Sequence, residues 1–71
     1  MSFSHDHGYK FRKCHRVLLR NGFVVARRSG SSHTVYKRKQ GETAVLSTCG
    51  VNQMLWLRYT KQFNLQDAKV C

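Results

Sequence analysis

His33 is the residue in this chain whose type and surroundings are best suited to chemistry. It ends the run Gly30-Ser31-Ser32-His33, and several basic residues lie close to it in sequence: Arg27, Arg28, Lys37 and Arg38. An imidazole takes up and releases protons near neutral pH more readily than any other unperturbed side chain. Guanidinium and ammonium groups bind phosphate oxygens through charged hydrogen bonds. The charge and the histidine together indicate a protein that binds nucleic acid and could also cut it.

RNA is the polymer whose cleavage needs the fewest additional groups. Its own 2′-hydroxyl lies beside the scissile phosphate, so a protein must remove one proton, donate another and stabilise the crowded phosphate. His33 suits either proton transfer, and Ser31 and Ser32 could orient it or donate to phosphate. The residues predicted to bind RNA are Gly30, Ser31, Ser32, Arg27, Arg28, Lys37 and Arg38. Because the nucleophile belongs to the RNA itself, the predicted reaction needs neither metal nor cofactor. A second acid or base is not evident, which predicts a slow enzyme.

The charge of the chain also indicates a polyanionic partner. The 71 residues carry a net charge of +10, and ten of the thirteen basic residues lie between Lys10 and Lys39. No acidic residue occurs from His7 to Gly41. Self-repulsion of this size works against folding, so the charge is better explained by binding than by stability. A nucleic-acid backbone is the natural candidate.

Length and cysteine usage narrow the class of protein. A chain this short forms one domain with a small core and marginal stability. Cys14, Cys49 and Cys71 are odd in number and far apart, which argues against a disulfide framework and favours the cytoplasm. His5, Asp6 and His7 are too few ligands for a structural zinc site. Apolar runs are much shorter than the ~20 residues of a membrane span.

The order of predicted elements is α-β-β-β-α. Residues 1–8 are predicted to be a flexible N-terminus, 9–65 the single domain and 66–71 a C-terminal tail. The predicted helices span Tyr9 to Asn21, with a stop at Asn21-Gly22, and Gln53 to Asn64, with Asn52 as N-cap. The predicted strands are Phe23 to Arg28, His33 to Lys39 and Thr43 to Thr48. We expect an α+β fold in which both helices pack on one face of a three-stranded antiparallel sheet.

The face on which His33 lies is left open by the sequence. His33, Val35 and Lys37 alternate with Thr34, Tyr36 and Arg38 along the second strand. If Val35 points toward the helices, His33 points there too unless a bulge turns it outward. A histidine on a strand is more often a packing or surface residue than a catalyst.

The second helix has more apolar residues than one buried stripe requires. Part of it is therefore predicted to contact another subunit or a partner protein. Leu55, Trp56 and Phe63 are the residues expected to make that contact.

The motifs of this chain resemble those of the HicA family of small bacterial mRNA-interferase toxins. The residues that carry the resemblance are Leu19-Arg20-Asn21-Gly22-Phe23, then Arg28-Ser29-Gly30-Ser31-Ser32-His33, then the aromatic Tyr36. The stretch from Asn52 to Tyr59 also looks like the final helix of these proteins. Ser47-Thr48 stands where the third strand of the family often ends in proline.

The resemblance implies a double-stranded-RNA-binding-domain-like fold and an endoribonuclease activity toward mRNA. It places the family histidine at His33. It also implies a HicB-type antitoxin as the protein partner, covering the active site. The oligomeric state is left open.

Two other functions remain consistent with the residues. One is a non-catalytic RNA- or DNA-binding module of the same fold, in which Arg and Lys bind phosphate. The other is a protein-interaction module whose second helix docks on a partner. Replacement of His33 distinguishes the toxin from the binding module, and the salt dependence of binding distinguishes the binding module from the interaction module.

Overall fold

Two helices and a three-stranded antiparallel sheet make up most of the protein. The structure is a computed structural model that describes residues 8–29, 32–39 and 41–70. The elements in chain order are β1 (Gly8–Tyr9), α1 (Phe11–Arg20), β2 (Val24–Ser29), β3 (His33–Lys37), β4 (Thr43–Ser47), β5 (Val51–Asn52) and α2 (Gln53–Gln62). The expected α+β fold is confirmed, with the short ribbon β1–β5 as an unpredicted addition. The predicted flexibility of the N-terminus concerns residues 1–7, which lie outside the described residues, whereas Gly8 pairs with Asn52.

The main sheet has the strand order β2-β3-β4. The register of β3 and β4 places His33 opposite Ser47 and Lys37 opposite Thr43. Burial alternates along both strands, so each strand has one face on the core and one toward solvent. The sheet therefore has a covered face, which packs on the helices, and an exposed face, called here the open face.

Tyr36 decides which face of the sheet is covered. It is fully buried, as are Ala44 and Leu46 of β4, and Thr34 is almost so. The side chains of Tyr36, Ala44 and Leu46 join Cys14, Val17 and Leu18 of α1 in one core. Because Thr34 and Tyr36 point toward the helices, His33, Val35 and Lys37 point the other way. The sequence left open the face on which His33 lies. In the structure His33 lies on the open face, and β3 needs no bulge to place it there.

The end of α1 follows the prediction closely. Gly22 has φ of +91°, a left-handed conformation that side chains with a Cβ atom rarely adopt. The Gly22 N–H donates to the Leu19 carbonyl, and the Phe23 N–H donates to the Leu18 carbonyl. This is the hydrogen-bond pattern of a Schellman motif, with the buried Phe23 as its apolar contact.

One side chain caps the start of α2 and another joins α2 to the edge of the sheet. The Asn52 side chain accepts hydrogen bonds from the Met54 and Leu55 N–H groups, which confirms the predicted N-cap. Tyr59 places its hydroxyl at β4, where it accepts from the Val45 N–H at 3.1 Å and donates to the Val45 carbonyl at 3.3 Å. The outer edge of β4 is therefore closed by a side chain, whereas the structure pairs no described strand with the outer edge of β2.

The expected partner contact of Trp56 and Phe63 is wrong. Both side chains are buried in the chain's own core. The segment predicted as a tail contributes to the same core, because Val70 is buried and the Ala68 carbonyl accepts a hydrogen bond from Trp56 Nε1 at 3.1 Å. The apolar residues that α2 leaves exposed are Met54 and Leu57, while Leu55 is half-buried. Neither α1 nor α2, nor any other helix in the described part of the chain, is long and apolar enough to cross a bilayer.

Candidate nucleic-acid interface

The open face of the sheet carries His33 and two of the predicted basic residues. His33 and Lys37 are exposed and share this face of β3. Arg27 of β2 pairs with Val35, which lies between them, and so belongs to the same face. Side chains two residues apart on a strand are about 7 Å apart, and directly paired residues about 5 Å. His33 and Lys37 are four residues apart, about 13 Å along β3, and Arg27 lies opposite the midpoint between them, so the three side chains line one stretch of the open face along which neighbouring phosphates of a strand could bind.

A β-bulge is the reason that Arg27 joins this face. The register of β2 against β3 shifts between Val25 and Arg27, leaving Ala26 as the extra residue. Without the bulge, strict alternation would place Arg27 on the same face as Val25, toward the helices. The bulge instead turns Arg27 outward and Arg28 toward the covered face. The sequence contains no signal that separates these two neighbouring arginines.

Ser47 is a site residue that sequence reasoning missed. It is paired with His33 across β3 and β4, and its side chain is half-buried. Its Oγ accepts a hydrogen bond from the Cys49 N–H at 3.2 Å, which leaves the hydroxyl proton free to be donated. The signal was present in the predicted turn at Gln40-Gly41, because strands paired symmetrically about residue 40 place residue 47 opposite residue 33.

The backbone next to His33 is held by Thr48, the residue that follows β4. The Ser32 carbonyl accepts two hydrogen bonds from Thr48, from its N–H at 2.7 Å and from its hydroxyl at 3.2 Å. These bonds fix the point at which the chain enters β3. The predictions for Gly30 and Ser31 lie outside the described residues.

Arg28 lies on the other side of the sheet from His33. It pairs with the buried Thr34, although its own side chain remains exposed at the edge of β2. Burial raises the pKa of Tyr36 to about 12, and the positive charge of Arg28 acts in the opposite direction. The Tyr36 hydroxyl is 2.6 Å from Nδ1 of His15, a half-buried residue of α1. Arg28 is thus placed near a structural contact between β3 and α1, away from the open face.

Arg38 is occupied by contacts within the protein. Its guanidinium donates to the carbonyls of Asn21 and Phe63, both at 3.0 Å, and pairs with Glu42. Asn21 and Phe63 are the C-cap residues of α1 and α2. The guanidinium also lies 4.5 Å from the centre of the Phe23 ring. Arg38 therefore neutralises the negative ends of both helices, and we leave it out of the candidate interface.

A shallow groove of about 490 Å³ runs across the open face. It is lined by Ala26, Arg27, Val35, Lys37 and Thr43. Glu42 is the acidic residue nearest in sequence to the groove residues Lys37 and Thr43. It is paired with Arg38 through a hydrogen bond that lowers the pKa of the Glu42 carboxyl group. The open face thus offers an apolar floor with cationic sides, which suits a sugar–phosphate backbone.

Other chemistry has less support in the described residues. Burial raises the pKa of the Cys14 thiol to about 12, so this cysteine is a core residue and a poor nucleophile. Within residues 8–29, 32–39 and 41–70, no group of three His, Cys, Asp or Glu side chains is placed to hold a metal ion. The open face presents the polar side chains of His33, Ser47, Arg27 and Lys37, of which His33 and Ser47 are directly paired.

Comparison with known proteins does not identify a relative. No protein-family model, curated protein or solved structure matches this chain.

Proposed function

We propose that this protein is a HicA-type toxin that cleaves mRNA, with His33 as its catalytic residue. One observation carries the proposal: the His33 imidazole is exposed on the open face of the sheet, on the side that also presents Arg27 and Lys37. A histidine kept for packing would be expected on the covered face with Tyr36. The motifs around Gly22-Phe23 and His33 support the same family, and they occur in elements of the order that the family requires.

The proposed reaction uses the 2′-hydroxyl of RNA as the nucleophile. The 2′-oxygen bonds to phosphorus as the bond from phosphorus to the 5′-oxygen breaks, which yields a 2′,3′-cyclic phosphate and a 5′-hydroxyl. His33 carries out one of the two proton transfers, removal of the 2′ proton or protonation of the leaving 5′-oxygen, and solvent water carries out the other. The hydroxyl of Ser47 donates a hydrogen bond to a phosphate oxygen. Arg27 and Lys37 stabilise the additional charge on the phosphate as the transition state forms. With one imidazole serving as acid or base, the reaction is expected to be slow.

Replacement of His33 tests the catalytic assignment. We expect His33→Ala to lower the cleavage rate by roughly 10²–10⁴-fold, because a general acid or base contributes that much. RNA affinity and the melting temperature should change little, since the side chain is exposed. The measurement is cleavage of a labelled mRNA by wild type, His33→Ala and the control Lys39→Ala, with and without chelator.

Lys39→Ala is a suitable control because Lys39 is exposed and lies outside the open-face groove. It should cleave as the wild type does. Wild-type cleavage by folded His33→Ala protein would exclude His33 as the catalyst. Loss of wild-type activity in chelator would exclude the metal-independent reaction.

A non-catalytic nucleic-acid-binding module is the second candidate function. It is favoured by the isolation of His33, which is the one imidazole or carboxyl side chain on the open face among the described residues. Under this alternative the wild type binds RNA without cleaving it, and Arg27→Gln with Lys37→Gln weakens binding in a salt-dependent manner. His33→Ala would then have no effect on any activity.

The proposed partner is an acidic HicB-type antitoxin, and the proposed compartment is the cytoplasm. The net charge of +10 supports an acidic partner, because complementary charge speeds association and relieves self-repulsion. Such a partner would block RNA by covering the open face. The compartment is proposed from the three cysteines, which are odd in number and far apart in sequence.

A further inference from the structure

The solvent face of α1 carries a second concentration of positive charge that the open face does not include. Four exposed basic residues follow one another along this helix, Arg12, Lys13, Arg16 and Arg20. The arginines recur at every fourth position, which places them on one side of the helix about 6 Å apart. We call these four residues the α1 stripe.

The α1 stripe points away from the sheet. The opposite side of the helix holds Cys14, Val17 and Leu18, all buried in the core beneath the covered face. His15 touches the covered face directly through Tyr36. His33 lies on the other side of the same strand. A single short strand of RNA lying flat on the open face would therefore not contact the stripe.

The described residues give the stripe no ion pair within the fold. In the described part of the chain the one ion pair joins Arg38 to Glu42, and none involves α1. Like charges spaced four residues apart on a helix destabilise it by a few tenths of a kcal/mol per pair. Four cations that pair with no acidic side chain among the described residues crowd this helix of ten residues, and of the four only Arg20, in the last turn, is placed to favour the helix dipole, so a function outside the fold explains the stripe better.

The chemistry of the stripe fits a phosphate backbone better than the other polyanionic surfaces. A membrane-bound amphipathic helix inserts its apolar face into the bilayer, but the apolar face of α1 is already buried in the core. A protein interface usually has an apolar centre, whereas the exposed large apolar residue of α1, Leu19, lies beside the stripe and not within it. The stripe is about 12 Å long and its three arginines are about 6 Å apart, so each can meet a different phosphate of one nucleic-acid strand.

We propose that the α1 stripe is a second phosphate-binding surface, which binds an RNA segment independently of the open face. The protein then holds RNA on two opposite sides, with His33 on one of them. The second surface increases the time that a long RNA remains bound without taking part in its cleavage. This inference goes beyond the proposed cleavage reaction and shares with it only the choice of RNA as ligand.

The test measures RNA affinity as a function of salt, without any cleavage. The probe is a fluorescent RNA fully methylated at its 2′-oxygens, which cannot be cleaved by attack of that oxygen. The stripe variant combines Arg12→Gln, Arg16→Gln and Arg20→Gln. We expect the slope of log affinity against log salt to fall by roughly 2, because each lost contact with a single strand contributes about 0.7.

A control variant removes the same charge elsewhere. Arg58, Lys61 and Lys69 are exposed and lie on α2 and the C-terminal segment. The triple Gln variant at these positions should change the slope much less than the stripe variant does. Equal effects of the two variants would show that only net charge matters, and would overturn the proposal.

Independence of the two surfaces is tested by combining variants. The stripe variant and the open-face pair Arg27→Gln and Lys37→Gln should reduce the slope additively, since they share no contact. A combined variant no weaker than the stripe variant alone would mean one shared surface and would contradict the proposal. Wild-type binding to anionic vesicles that is lost in the stripe variant, with RNA affinity unchanged, would instead assign the stripe to a membrane.

The outcome does not depend on whether His33 is catalytic. If His33→Ala still cleaves RNA while the stripe variant shows the reduced slope of log affinity against log salt, the catalytic assignment of His33 is wrong and the second surface is supported. If the stripe variant matches the control, the second surface fails and the cleavage test is unaffected.

Discussion

Neighbouring basic residues in this chain have different physical roles. Lys37 projects from the open face, whereas Arg38 turns to the other side and binds the C-caps of both helices. Arg38 is also the partner of Glu42, and that hydrogen bond raises the pKa of the guanidinium group. Sequence proximity to His33 therefore does not distinguish a phosphate ligand from a structural cation.

Arg38→Met should destabilise the fold while sparing RNA affinity. It removes charged hydrogen bonds to Asn21 and Phe63 and leaves both carbonyls without this partner, so we expect a loss of about 2 to 3 kcal/mol in the free energy of unfolding. The matched variant Arg27→Met removes the same charge from an exposed position and should change stability by less than about 0.5 kcal/mol. Chemical denaturation measures both.

The RNA affinities of these two variants should show the opposite order. Measured well below the melting transition, Arg27→Met should bind RNA more weakly and Arg38→Met should bind as the wild type does. If Arg38→Met proves as stable as Arg27→Met, the role given to Arg38 is incorrect.

The two edges of the main sheet are protected from pairing in different ways. The edge of β4 is closed by Tyr59 from α2, while β2 is marked by the Ala26 bulge and by exposed arginines. An open edge can pair with the edge of another molecule, and bulges and positive charges oppose this. Pairing with another molecule is thus opposed by α2 at the edge of β4, and by the bulge and charges of β2 at the other edge.

Tyr59→Phe should open the protected edge at one residue. The Val45 N–H would lose its acceptor, so its hydrogen exchange should accelerate while that of Ala44 and Leu46 changes much less. The stability should fall by about 0.5 to 1.5 kcal/mol, the usual net contribution of a hydrogen bond. Amide exchange followed by NMR provides the measurement, and an unchanged Val45 rate would show that the hydroxyl does not close the edge.

The whole molecule combines a small core with a net charge of +10. Twelve apolar residues form its described core, including Trp56, Phe63 and Val70. The exposed apolar residues of α2 that remain for a partner are Met54 and Leu57, which are 72% and 50% exposed and lie three residues apart. Binding of an acidic partner to the native state would stabilise it by mass action.

We expect the product of an adjacent antitoxin-like gene to raise the melting temperature of this protein. Met54→Ser with Leu57→Ser should weaken that stabilisation, because it removes exposed apolar contact area while leaving the core intact. The control Gln53→Ser with Gln62→Ser changes exposed polar positions of the same helix. Thermal melts at several concentrations, with and without the partner, test this. A high melting temperature that neither concentration nor the partner changes would show that the domain needs no partner.

Local patterns in the sequence were enough to predict most elements and their boundaries. Asn21-Gly22 ends α1, and Asn52 begins α2, because capping depends on residues adjacent in sequence. Alternation in β3 predicted that His33 and Lys37 share a face opposite to Tyr36. The fold class followed from the order of these elements, since three short strands require helices to cover one face.

Only the tertiary structure decided which of these faces is the open one. Tyr36 lies on the covered face because its ring fills the core beside α1 and its hydroxyl contacts His15, which is 21 residues away in sequence. The bulge at Ala26 places Arg27 and Arg28 on opposite faces of the sheet. Arg38 binds the ends of two helices that are distant from it in the chain. Trp56 likewise donates a hydrogen bond to the carbonyl of Ala68, which lies in the segment that the sequence predicted to be a tail. Each of these outcomes depends on packing between distant residues, and no local spacing encodes it.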